Sequence, residues 1–152
     1  MIRTILVLII LSSYLFSLEL IGKVVKVSDG DTITILTNDK TQYKIRLNDI
    51  DAPEKKQAFG NKSKDNLAKY IAGKTVKVEY KTKDKYKRIL GTIYYNNIDI
   101  NLQQVKDGYA WVYKKYSKNQ DYYNAEKLAK ENKKGLWNDK NPIAPWEFRK
   151  KN

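Results

Sequence analysis

The sequence predicts an α+β protein that is mainly β: a small five-stranded barrel with three helices. Three observations predict it. Five short runs alternate apolar and polar residues, a helical stripe follows the third run, and two more helical segments follow the fifth. The chain has 152 residues and is 41% hydrophobic, which suits one domain with a modest core.

The first strand, "LIGKVVKVSDG", alternates around Ile21, Val24 and Val27. In "DTITIL", Thr32, Thr34 and Leu36 oppose Ile33 and Ile35, with Asp31 opening the strand. After the turn "TNDK", "TQYKIRLNDI" resumes the alternation at Tyr43, Ile45 and Leu47. These three strands form a meander. Asp29 and Gly30 read as hairpin residues, because both tolerate positive φ. The loop "DAPEKKQAFG" is marked by Pro53 and Gly60. "NKSKDNLAKYIAGK" then has Asn61 as N-cap, a stripe of Leu67, Ala68 and Ile71, and Gly73 as its stop. "TVKVEYKT" and "RILGTIYY" are the last two strands, separated by the charged loop "KDKYK".

"NLQQVKDG" reads as a short helix capped by Asn101 and ended by Gly108. "NQDYYNAEKLAKENKKG" reads as a longer one, with Tyr122, Ala125, Leu128 and Ala129 on one face and Gly135 at its end. Residues 18–140 are therefore the folded domain. Residues 141–152 are a basic tail, expected to fray after Trp146. Among small barrels of this pattern the OB-fold is the natural member, and such barrels bind nucleic acid across one face.

Residues 1–17, "MIRTILVLIILSSYLFS", have the shape of a signal peptide: Arg3, an apolar stretch over Thr4–Leu11, then serines. The run is short for a membrane span, which takes about 20 residues. An uncleaved N-terminal anchor is the rival reading. The expected location is periplasmic or secreted, with membrane contact only during export or through an uncleaved N-terminus.

Thirty Lys and Arg against 17 Asp and Glu give a net charge of +13. That surplus favours a polyanionic partner. The chain has no Cys and no His, which excludes Cys/His zinc sites, thiol chemistry and a Ser-His-Asp triad. Catalysis is left to carboxylates, Lys, Arg, Tyr or a hard metal ion.

The meander brings the start of the second strand and the end of the third to one end of the barrel. Asp31 and Asp51 can meet there, and two carboxylates with a backbone carbonyl and waters suit a hard cation such as Ca²⁺ or Mg²⁺. Glu54 follows in the same loop, close enough to orient or deprotonate a water. Arg46 within a strand and Arg88 after the basic loop form either a phosphate clamp or local ion pairs.

Taken in order, "DGDT", "IRLNDIDAPE" with "QAFG", and "DKYKR" resemble the staphylococcal nuclease (thermonuclease) family over roughly residues 20–137. The resemblance implies that Asp31, Asp51 and the backbone carbonyl of Ala52 bind Ca²⁺. It implies that Glu54 acts on the attacking water and that Arg46 and Arg88 bind the scissile phosphate. Lys85 and Tyr86 match positions that touch the neighbouring phosphate. The resemblance as a whole makes Asp31 a ligand beside a turn built by Asp29 and Gly30. Trp111, Tyr113 and Tyr116 in "YAWVYKKYS" are candidates for stacking on bases. Ala52 stands where the founding member has a hydroxyl residue, and Lys87 where it has glycine.

The implied function is an exported Ca²⁺-dependent endonuclease that hydrolyses phosphodiester bonds with little sequence preference and leaves 3′-phosphates. Its substrate is DNA, with RNA as a second candidate; the protein is expected to act as a monomer without a stable protein partner. Two alternatives belong to other classes. A catalytically inactive OB-fold binding module would have lost a carboxylate or an arginine, and none is missing. A basic envelope protein tethered by its N-terminus is the other.

Overall fold

The structure, a computed structural model, describes residues 17–151. The predicted signal peptide therefore lies, apart from Ser17, outside the described residues. Eight strands and four α-helices run in the order β1 (Leu18–Asp29), β2 (Thr32–Leu36), β3 (Gln42–Leu47), β4 (Ile50–Asp51), α1 (Gly60–Ile71), β5 (Thr75–Lys83), β6 (Ile89–Tyr95), β7 (Ile98–Asp99), α2 (Ile100–Lys106), β8 (Trp111–Val112), α3 (Gln120–Glu131) and α4 (Pro145–Lys151). A short 3₁₀ turn, Gly135–Asn138, separates α3 from α4.

The five predicted strands are β1, β2, β3, β5 and β6, and they close into a barrel. Antiparallel neighbours run β3-β2-β1-β5-β6, and a parallel pairing of β3 with β6 (Ile45 opposite Ile89, Leu47 opposite Gly91) shuts the ring. Period-2 alternation puts Ile33, Ile35, Ile45, Leu47, Val78, Ile89 and Ile93 inside, each essentially inaccessible. Alternation fails in β1, where register shifts between Val24 and Lys26 and between Val27 and Asp29 mark bulges. Ile21 and Val25 accordingly face outward, while Val24 is buried.

Leu67 and Ile71 seat α1 on the barrel, and Gly73 ends it at φ +71°. The helix starts earlier than Asn61: Phe59 is the N-cap, in the left-handed region, without a side-chain bond. Asp99, not Asn101, caps α2, accepting from the Leu102 N–H at 2.9 Å. Asn101 is buried instead and ties β6 to the β3–β4 turn, accepting from Ile93 N and donating to Gly91 O and Asn48 O. In α3 the buried face is Tyr122, Ala125, Glu126 and Ala129, whereas Leu128 is exposed. Gly135 opens the 3₁₀ turn beyond α3 rather than ending the helix.

The largest departures are at the tail and at the first hairpin. The segment expected to fray is α4, a fourth helix. At the hairpin, Asp29 pairs with Thr32, so Gly30 and Asp31 form the loop and Asp31 precedes β2. Neither Asp29, Gly30 nor Asp31 has positive φ. Glycine is needed at position 30 for space: a Cβ there would lie 1.8 Å from Ser63 Oγ on α1 and 2.8 Å from the Ala52 Cβ. Gly30→Ala should therefore cost about 1–3 kcal/mol through overpacking, measurable as a lower midpoint in chemical denaturation. Wild-type stability in that variant would contradict the packing account.

Candidate active site

An open cleft of about 700 Å³ lies at the barrel end where the β1–β2 turn, the β3–β4 bend and the β5–β6 loop meet. Asp31, Arg46, Asp51, Ala52, Glu54, Lys85, Tyr86, Arg88, Tyr113 and Tyr116 all line it. Trp111, expected to stack on bases, does not. Its backbone pairs with Asp51 in the β4–β8 ladder, and its ring packs edge-on to Trp137 at 4.3 Å. It buttresses the cleft from behind.

The floor is a charge cluster built on Arg46. Its Nη2 lies 3.1 Å from Asp31 Oδ2 and 3.0 Å from Asp51 Oδ1. Its Nη1 donates to the carbonyls of Leu47 at 2.6 Å and Ile50 at 2.9 Å, so the same side chain pins the bend that carries Asp51. The Asp31 carboxylate also accepts from Ala52 N at 2.7 Å and Thr32 Oγ1 at 3.1 Å. Both aspartates are buried. The turn that carries Asp31 is clamped from behind by α2, where Gln104 donates to the carbonyls of Gly30 and Ser63.

Burial raises the Asp51 carboxyl above its ordinary value against the opposing effect of the hydrogen bond from Arg149, and the neighbouring Asp31 charge adds to the rise. Asp29, whose Oδ1 accepts from Asp31 N at 3.1 Å, is pushed up to about 6 by burial and then by the charge of Asp31.

Glu54 sits on the rim in a loop wound tightly around its own backbone. Gln57 accepts from Glu54 N through Oε1 and donates to Glu54 O through its own N–H. A Cβ on Gly60 would lie 2.1 Å from that same carbonyl. The string "QAFG" thus folds the Glu54 loop back on itself.

On the opposite rim, Asp84 organises "DKYKR". It accepts from the Tyr86 and Arg88 N–H groups at 2.9 Å and takes Arg88 Nε at 2.7 Å. Burial would raise its carboxyl, but those hydrogen bonds outweigh it and hold the group below its usual range. No described residue bonds the terminal nitrogens of Arg88, and its guanidinium lies 5.4 Å from the Tyr86 ring centre. Lys87 takes φ +62°, so a residue with a Cβ is accommodated in the left-handed region at a cost of about 1 kcal/mol.

Residues 44–139 match the family model described as staphylococcal nuclease homologue. Similar proteins include an "uncharacterized endonuclease" of Haemophilus influenzae, 48% identical over 128 residues, 84% of this chain and 72% of that protein. Another of that description from Escherichia coli is 42% identical over 145 residues, 95% of this chain and 94% of its own length. A "micrococcal nuclease" of Shigella flexneri is 40% identical over 140 residues, covering 85% and 80%. The chain belongs to the staphylococcal nuclease family.

In this nuclease the cleft has a further member that its sequence did not reveal. Arg149 of α4 donates from Nη2 to Asp51 Oδ2 at 2.7 Å and from Nη1 to Asp51 Oδ1 at 3.2 Å and Glu54 Oε1 at 2.7 Å. The bond to Asp51 drives its pKa still higher. Seven residues with three bases carry no periodic apolar stripe, so no signal in the sequence places Arg149 here. Ser63 and Gln104 were equally invisible, because their partners are backbone carbonyls distant in sequence. Among the described residues, no three His, Cys, Asp or Glu side chains are gathered closely enough to hold a metal ion.

The raised pKa of Asp29 fixes a pH dependence. Its folded value, about 6, exceeds the ordinary 3.8. The folded protein thus holds this proton more tightly, and stability falls as pH rises between those values. In chelator, Asp29→Asn should stabilise the protein at pH above about 7, and the gain should vanish near pH 4. Denaturation curves at both pH values check this; a gain of equal size at both would contradict it.

Proposed function

We propose that this nuclease is an exported, Ca²⁺-dependent endonuclease acting on DNA, and on RNA as a second substrate, with little sequence preference. The observation that carries the reading is the convergence of Asp31 and Asp51 on one guanidinium nitrogen at the cleft floor, at 3.1 and 3.0 Å. That guanidinium brings two buried carboxylates side by side, near enough for their remaining lone pairs to share a cation. Their oxygens, with the Ala52 carbonyl and waters, form a donor set of the hard type that Ca²⁺ takes. Two protein carboxylates are few, so water completes the shell in this reading.

Ca²⁺, when bound, supplies positive charge against the scissile phosphate. The chain's own residues do the rest. Glu54 on the rim orients a water and takes its proton as the oxygen attacks phosphorus. Arg88, held by Asp84 through Nε alone, presents its terminal nitrogens to the phosphoryl oxygens, where charge grows in the transition state. Arg46 bonds the phosphate from the strand side. Lys85 and Tyr86 in the charged "DKYKR" rim take the adjacent phosphate, and Tyr113 and Tyr116 offer faces to the bases. In-line loss of the 5′ oxygen, which takes a proton from solvent, leaves a 3′-phosphate and a 5′-hydroxyl. Residues 1–17 direct export and are removed, and the protein works as a monomer in the periplasm or outside the cell.

With plasmid DNA, cleavage should require a divalent cation, be supported by Ca²⁺ and stop in chelator. Asp31→Ala and Asp51→Ala should abolish it at ordinary Ca²⁺. Glu54→Gln should lower turnover about 10²–10⁴-fold while binding survives. Arg88→Lys should also strike turnover, because an ammonium lacks the planar fork. Near-normal turnover of folded Glu54→Gln and Arg88→Lys proteins would refute these roles, and undiminished cleavage in excess chelator would refute the metal. Export is checked separately: the secreted or periplasmic protein should have the mass of a chain lacking its first residues, and a full-length mass in the membrane fraction would favour the anchor.

A further inference from the structure

Arg149 takes the carboxylates that the reading above gives to the metal and to the water. It pairs with both oxygens of Asp51 and with one of Glu54. The pair with Asp51 is not an ordinary surface ion pair, because the Asp51 side chain is only 2% exposed. Nor does it depend on one long side chain reaching across by itself. Gln57 Nε2, from the Glu54 loop, donates to Ile143 O at 2.6 Å just before α4. Trp146 lies parallel to Tyr113, at 5.7 Å and 4°, and edge-on to Trp111 at 5.6 Å. The helix is seated on the cleft wall by these contacts, and its arginine is delivered from there.

The two arginines on Asp51 differ in what else holds them. Arg46 is 13% exposed and spends Nη1 on the carbonyls of Leu47 and Ile50, so it belongs to the bend. Arg149 is 41% exposed, and its bonds go to Asp51 and Glu54. It is the one free to leave. A guanidinium bonded to both oxygens of a carboxylate and a cation coordinated by that carboxylate compete for the same lone pairs.

We propose that α4 is an autoinhibitory clasp, in which Arg149 is the built-in counter-ion of the metal-free site and Ca²⁺ binds by displacing it. Displacement releases Glu54 in the same event, since one guanidinium holds both carboxylates. The inference rests on the Ca²⁺ reading of this site. Its cost is that of any conformation that must open before a ligand enters: apparent affinity falls by the fraction of open molecules. A clasp closed about nine-tenths of the time weakens binding about tenfold.

The test is calorimetric titration of Ca²⁺ alone into DNA-free wild type, Arg149→Gln, Arg149→Lys and Asp51→Asn, with helix content checked by circular dichroism. Arg149→Gln should bind Ca²⁺ several-fold to about tenfold more tightly than wild type. Arg149→Lys, which keeps the charge but loses the two-pronged contact, should fall between them. Asp51→Asn should lose the site. Equal or weaker binding by Arg149→Gln overturns the clasp. If Asp51→Asn instead binds as wild type does, the Ca²⁺ reading of the site fails and the clasp with it.

Discussion

The Arg46 guanidinium, set between Asp31 and Asp51, is the interaction on which the rest of the site depends. Two buried carboxylates cannot both stay ionised side by side without a fixed positive charge, because their mutual repulsion adds to the cost of desolvation. Arg46 supplies that charge from the end of β3, where the register places it opposite Thr32, next to Asp31. Its other nitrogen holds the Leu47 and Ile50 carbonyls, so one side chain sets both the bend between β3 and β4 and the spacing of the carboxylates. Asp29 shows what happens at the edge of this arrangement. No arginine among the described residues pairs with it, and burial together with the charge of Asp31 raises its carboxyl.

The barrel makes this precision affordable by holding the loops from behind. Closure of β3 on β6 brings the Asn48 N–H to the Gly91 carbonyl, and Asn101 bonds Asn48 and Gly91 together. The β1–β2 turn rests on Ser63 of α1 and on Gln104 of α2, which is why glycine at position 30 answers a demand for space and not for left-handed φ. Glu126, buried in α3, accepts from Val112 N in β8, the strand that pairs with Asp51, and is itself neutralised by Lys130. Asp31 and Asp51 thus each have a helix behind them. The precision of the site comes from elements that do not touch substrate.

What was legible in the sequence follows from which signals are local. Strands β2, β3, β5 and β6 alternate with period 2 because one face is buried in the barrel, and that pattern is visible in any short window. The carboxylates and arginines were legible as a string, "RLNDIDAPE" with "DKYKR", because the bend and the basic loop are each contiguous. The starts of α1 and α2 were not: Asn61 and Asn101 look like caps, yet a backbone turn at Phe59 and the side chain of Asp99 begin α1 and α2. Asn101 was drawn instead into a buried network across the β3–β6 seam. The fourth helix was illegible for the same reason in stronger form. Seven residues are too few for a helix to be stable alone, so α4 exists through the docking of Trp146 on Trp111 and Tyr113. Nothing within its own sequence announces those partners.

The overall charge and the charge of the site have opposite signs, and the fold has to reconcile them. A surplus of +13 draws a polyanion toward the surface. The floor of the cleft nevertheless carries Asp29, Asp31 and Asp51, with Glu54 on its rim. An acidic floor left bare would repel the phosphates that the surface attracts. Arg46 answers from within the barrel and Arg149 from the far end of the chain, so the carboxylates do not meet the substrate side uncovered. Under the proposed clasp, a divalent cation has the same sign as the arginine it would replace. The site would then exchange one for the other without presenting negative charge to a phosphodiester. Two guanidinia on one aspartate suit that exchange: Arg46, tied to the bend, would keep the carboxylates in place, and Arg149 would leave them to the metal.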